Sequence, residues 1–157
     1  MNYEIVGLEK KVVVGLMKKT TNNNNQAVID IGLLWKDFLG SGVYSKIKNK
    51  TNYKTNYKTI GLYTDYEGDF TKPYKFYACC EVDEAGEIVA SLEKKVIEAG
   101  KYAKFIVNGH VKNAVGEFWS KLWKMDLDRK YTSDFEEYQN ISDDMNNQEI
   151  HVYISIN

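Results

Sequence analysis

The chain has 157 residues, 43% hydrophobic and 27% charged, with a formal net charge of -1, the balance of a folded domain. That charge gives no basic signature for nucleic acid, and no apolar run approaches the ~18 residues a membrane helix needs. Met1-Asn2-Tyr3-Glu4 has neither the charged nor the apolar region of a signal peptide, so a cytoplasmic protein is expected. Cys79 and Cys80 are adjacent and in a strand would point to opposite faces, which argues against a disulfide between them. No CxxC or Cys/His cluster suggests zinc, and neither metal nor cofactor is expected.

In chain order, Tyr3 to Val6 reads as a short strand and Lys11 to Lys18 as a longer, valine-rich one. The asparagine run 22–25 ends in a helix cap. A helix follows from about Gln26 to Leu39, with Val28, Ile31, Leu34/Trp35 and Phe38 at helical spacing and Gly40 and Gly42 to stop it. Val43 to Ile47 reads as a brief extended piece. The tandem Thr51-Asn52-Tyr53-Lys54 and Thr55-Asn56-Tyr57-Lys58 is a polar loop expansion. Thr59 to Tyr66 and Tyr74 to Val82 read as antiparallel partners, with the single proline, Pro73, at a strand entrance. Asp83 to Gly86 is a turn, and Ile88 to Val96 suits a short helix or a strand equally. Lys101 to Val107 is a strand, Val111 to Lys124 a helix, Asp134 to Gln139 a strand, and Glu149 to Ile156 a cleanly alternating last strand.

The two halves share one order: strand, helix, strand, strand. This predicts a single two-layer α+β domain over 1–157, with pseudo-repeats of about 1–83 and 97–157. Both helices would pack on one face of an antiparallel sheet and leave the other face open as a groove. If Ile60, Leu62, Phe135 and the 150–156 isoleucines and valine meet the helices, the open face collects Tyr63, Tyr77, Tyr138 and Tyr153 with Glu81 and Glu136. Trp119 and Trp123 flank the second helix and are added as groove candidates, although indoles in such positions are more often core.

Several segments together resemble the GyrI-like effector-binding domains, the small-molecule modules of AraC-type and MerR-type regulators. They are Gly61 to Asp69, Ile97 to Phe105, Ala114 to Trp123, Tyr131 to Tyr138 and Glu149 to Ile156. Among such domains the chain is most similar to the standalone integron-cassette type. The resemblance implies two strand–helix–strand–strand units with a ligand groove along the midline. It also implies lipophilic, often cationic ligands held between aromatic rings, with a buried Glu as counter-charge. That Glu maps onto Glu136 and the accompanying Tyr onto Tyr138. The 51–58 expansion and the Lys72-Pro73 turn depart from the pattern.

The expected partner is therefore a small organic ligand, cationic or lipophilic, with Glu81 as a second acid and a separately encoded regulator as a further candidate partner. No DNA-binding helices precede the domain, so direct nucleic-acid binding is not expected. Two alternatives stand beside this reading. A hydrolase of strained electrophilic compounds would use Glu81 and Glu136 as general base and acid, if burial separated their pKa values. A protein-interaction module would use surfaces such as the acidic loop at Asp143-Asp144.

Overall fold

The computed structural model describes residues 1–51, 58–83 and 88–157. Eight strands and three α-helices follow in the order β1 (Glu4–Leu8), β2 (Lys11–Thr20), α1 (Gln26–Gly40), α2 (Val43–Lys46), β3 (Thr59–Thr64), β4 (Tyr74–Val82), β5 (Glu93–Ile97), β6 (Gly100–Gly109), α3 (Asn113–Leu122), β7 (Arg129–Tyr138) and β8 (Gln148–Ile156). All strands join one antiparallel sheet in the order β1-β6-β8-β7-β3-β4-β2-β5. The expected α+β class with an antiparallel sheet is what the chain adopts.

Three local readings change. Val43 to Lys46 is a helical turn, not an extended piece. The ambiguous 88–96 stretch contributes β5, which pairs with β2. Asn25 stands at the N-cap of α1 in the left-handed region, and its side chain makes no capping bond. Most of the tandem expansion at 51–58 and of the turn at 83–86 lies outside the described residues.

The sheet is rolled, and short connections force it to be. β1 and β2 stand six strand positions apart, which in a flat sheet is roughly 29 Å. Only Glu9 and Lys10 join them, a reach of roughly 10 Å. β5 and β6 are likewise six positions apart and are joined by Glu98 and Ala99 alone. The two ends of the sheet must therefore curl toward each other.

Rolling creates two cores. The outer, helix-bearing face packs Phe76, Ala78, Cys80, Phe105, Val152 and Ile154 against Phe38 of α1 and Phe118 and Leu122 of α3. The inner face buries Val13, Ile60, Leu62, Tyr77, Cys79, Tyr102, Phe135 and Tyr153 without any helix. Rings fill it: Phe135 stacks on Tyr153 at 4.6 Å, and Tyr102 meets Phe135 edge-on at 5.9 Å.

This corrects the orientation expected for the central strands. Ile60, Leu62 and Phe135 point into the inner core, so Gly61, Tyr63, Glu136 and Tyr138 point toward the helices. The expectation assumed one apolar face, whereas a rolled sheet needs apolar residues on both. The sides expected for Phe76 to Val82 and for Ile150 to Ile156 match the observed ones.

Candidate functional site

Central strands β3 and β7 pair so that Gly61 lies opposite Glu136. The absence of a side chain at Gly61 leaves room for the carboxylate. A Cβ there would stand 3.1 Å from Glu136 Oε2 and 3.1 Å from Phe76 Cζ. Glu136 is 1% exposed. Its Oε1 accepts the Tyr63 hydroxyl at 2.6 Å and Trp119 Nε1–H at 2.8 Å, while Oε2 accepts the Tyr138 hydroxyl at 2.6 Å.

Burial raises the Glu136 pKa above its ordinary value, against the opposing pull of the three donors. No Lys, Arg or His among the described residues pairs with it. Burial, followed by the nearby carboxylate, holds the Tyr63 and Tyr138 hydroxyls well above the usual phenol range, so both remain neutral donors. Among the described residues the carboxylate is thus desolvated and held by neutral donors alone.

Glu136 belongs to the floor of a cleft of about 1170 Å3 between α1 and α3. Trp35 of α1 meets Tyr138 edge-on at 5.4 Å, and Trp119 of α3 packs against Tyr63 at 4.8 Å. Tyr74 and Tyr66 extend the ring series from Tyr63, at 5.7 Å and then 5.6 Å. At one end Phe70, from the β3–β4 turn, stacks on Trp123 at 5.6 Å and 9° between planes.

Of the residues singled out in the sequence, Tyr63, Glu136, Tyr138, Trp119 and Trp123 come together around this cleft. Tyr77, Glu81 and Tyr153 do not. Tyr77 and Tyr153 belong to the inner core, and Glu81, also on the inner face, faces Lys11 at 3.4 Å. The groove expected on the helix-free face is thus corrected: that face is closed by rings, and the cleft opens on the helix-bearing side. Glu81 and Glu136 point to opposite faces of the sheet, so they cannot serve one substrate as a base and acid pair.

Sequence reading missed Trp35, Phe70 and Arg129 as lining residues; Tyr66 and Tyr74 line the cleft as well. Gly61 within a strand was the available signal, since glycine there marks a close approach. Among the described residues no His, Cys, Asp and Glu group is arranged to hold a metal, and no helix is long and apolar enough to cross a membrane.

The fold has parallels among solved structures. The Vibrio cholerae integron cassette protein VCH_CASS2 is 27% identical, with 97% of this chain and 95% of that one covered at a TM-score of 0.68. SAV2435, solved bound to tetraphenylphosphonium, is 20% identical, with coverage of 100% and 94% and a TM-score of 0.79. A putative transcription regulation protein of Staphylococcus aureus MU50 is 19% identical, with 99% of each chain covered and a TM-score of 0.72. No curated protein sequence matches the chain. Residues 4–156 match the Cass2 family model, and the chain belongs to that family of integron-associated effector-binding proteins.

Proposed function

We propose that the cleft binds lipophilic, aromatic organic cations, with Glu136 as counter-charge and Tyr63, Tyr138, Trp35 and Trp119 as its walls. The observation that carries this reading is a buried carboxylate, with no cationic partner among the described residues, on the floor of an aromatic cleft. Each ring facing the cation contributes ~0.5–2 kcal/mol, and several with one desolvated carboxylate support micromolar affinity. We take the role to be that of an effector sensor read by a separate regulator.

Tetraphenylphosphonium, the ligand of the SAV2435 neighbour, is a suitable probe. All three tryptophans line the cleft, so their fluorescence reports occupancy directly. Titration should show saturable quenching, and Glu136→Gln should weaken binding by about 10- to 100-fold. Tetraphenylborate, of the same shape and opposite charge, should not bind. Equal affinity in the Gln variant, or equal binding of the borate, rejects the reading.

A further inference from the structure

The cleft has a second buried polar group, of opposite charge. Arg129, at the start of β7, lines the cleft with a side chain only 6% exposed. Its Nη2 donates to Asp134 Oδ2 at 2.7 Å and its Nη1 reaches the Tyr131 hydroxyl at 3.3 Å. The buried Nε finds no partner among the described residues. The guanidinium therefore uses two hydrogen bonds of the five donors it carries.

Asp134 does not need those remaining donors. Its Oδ2 also accepts the Tyr66 hydroxyl at 2.7 Å, and its Oδ1 accepts Ser155 N–H at 2.9 Å and the Ser155 hydroxyl at 3.1 Å. The carboxylate is saturated while the guanidinium is not. A buried donor left unpaired is costly, and native structures usually pair it.

Arg129 is also placed where a ligand would meet it. Its Cζ lies 6.0 Å from the Trp119 ring, and the same indole donates its Nε1–H to Glu136 at 2.8 Å. One indole thus neighbours both the carboxylate and an under-used guanidinium lining the same cleft.

We propose that the cleft is bipolar: its ligands carry a cationic aromatic head for Glu136 and a hydrogen-bond acceptor, preferably a carboxylate, for Arg129. This inference rests on the head-group reading given above and adds the second recognition element. Small side-chain movement lets the acceptor reach the guanidinium donors, whose planar fork suits a carboxylate.

The test is a matched pair of probes sharing one head: pentyltriphenylphosphonium and (4-carboxybutyl)triphenylphosphonium, titrated by tryptophan fluorescence. The wild-type protein should bind the carboxylate probe about tenfold more tightly, as for one charge-assisted contact net of desolvation. The comparison variant is Arg129→Gln with Asp134→Asn, because removing Arg129 alone would strand a buried carboxylate. In it the ratio of the two Kd values should fall to about one. Equal wild-type affinities, or a preference that survives in the double variant, overturn the inference and leave the head-group reading intact. Failure of the carboxylate probe alone overturns the inference, and failure of both probes to bind wild type overturns the head-group reading with it. Should the double variant not fold, the methyl ester of the carboxylate probe decides. Its affinity should lie between the other two, and an ester no better than the pentyl probe overturns the inference.

Discussion

Gly61→Ala tests whether the carboxylate site depends on space left in β3. The new Cβ would stand 3.1 Å from Glu136 Oε2 and 3.1 and 3.3 Å from two Phe76 ring carbons, all closer than ordinary contact. Neither neighbour can yield easily. Phe76 is fully buried and boxed by Tyr63 at 5.0 Å and Trp35 at 6.2 Å, while Glu136 is tied by bonds of 2.6 to 2.8 Å. Overpacking of this kind costs ~1–3 kcal/mol. Displacing Oε2 also weakens the charge-assisted Tyr138 bond, worth ~1.5–3 kcal/mol when fully formed. Part of each gives a loss of about 2 kcal/mol, or a fall in Tm of roughly 4–8 °C for a chain of this size. Affinity for tetraphenylphosphonium should drop about tenfold, since the counter-charge is moved. Urea denaturation with an unchanged m-value and the fluorescence titration measure the two effects. Gly7→Ala, on the edge strand with nothing within 4 Å of the added Cβ, is the control. Wild-type stability and affinity in Gly61→Ala would refute the reasoning.

Three further expectations follow from the same geometry. Because the folded-state pKa of Glu136 is raised, the folded protein binds its proton more tightly than the unfolded chain; the Glu136 contribution is full below the ordinary value of 4.5 and is lost as pH rises through the folded pKa. The stability of wild type relative to Glu136→Gln should therefore fall over that window while affinity for the cation rises, and a flat difference curve would contradict a desolvated carboxylate. Glu81→Gln should leave tetraphenylphosphonium affinity within twofold of wild type, because Glu81 faces Lys11 on the other side of the sheet; a tenfold loss would put the ligand on the wrong face. Gly15→Ala should fail to fold or lose more than about 3 kcal/mol, since its Cβ would lie 2.0 Å from the Ala78 carbonyl oxygen, a backbone atom that cannot swing aside; a stable variant by thermal melting would show that the β2–β4 seam is looser than described.

Much of the site was legible because its residues sit in ordered, strongly patterned strands. The acid at 136, the tyrosines at 63 and 138 and the indole at 119 could be singled out from the chain. Their direction could not be read correctly, because alternation states which residues share a face and not which face bears the helices. Ile60, Leu62 and Phe135 look like the natural partners of helices, and they are core residues, but of the inner core. The uninterrupted apolar run Val12-Val13-Val14 in β2 was the signal of a strand buried on both sides. Tyr77 and Tyr153 do lie on the expected, helix-free side, but that side is closed into a second core rather than left open as a groove. Arg129 escaped attention because β7 begins earlier than its apolar residues suggest, and its significance depends on which of its donors go unused, which only the assembled site displays.

The seams that complete the rolled sheet set the order in which it can assemble. Glu4 pairs with Lys104, one hundred residues on, whereas Thr64 pairs with Lys75 after only eleven. Loop-closure entropy makes the first pairing about 2 kcal/mol harder to initiate than the second. The central strands that carry Gly61, Tyr63 and Phe76 should thus form while the edges are still loose, and β1 should close last. Pulsed hydrogen exchange during refolding would show it, with the amides of β3 and β4 protected before that of Val6; simultaneous protection would mean the edge is part of the nucleus. Each leading strand is lent to the opposite half, β1 to β6 and β5 to β2, so the chain is locked into one cooperative unit by the strands that arrive latest.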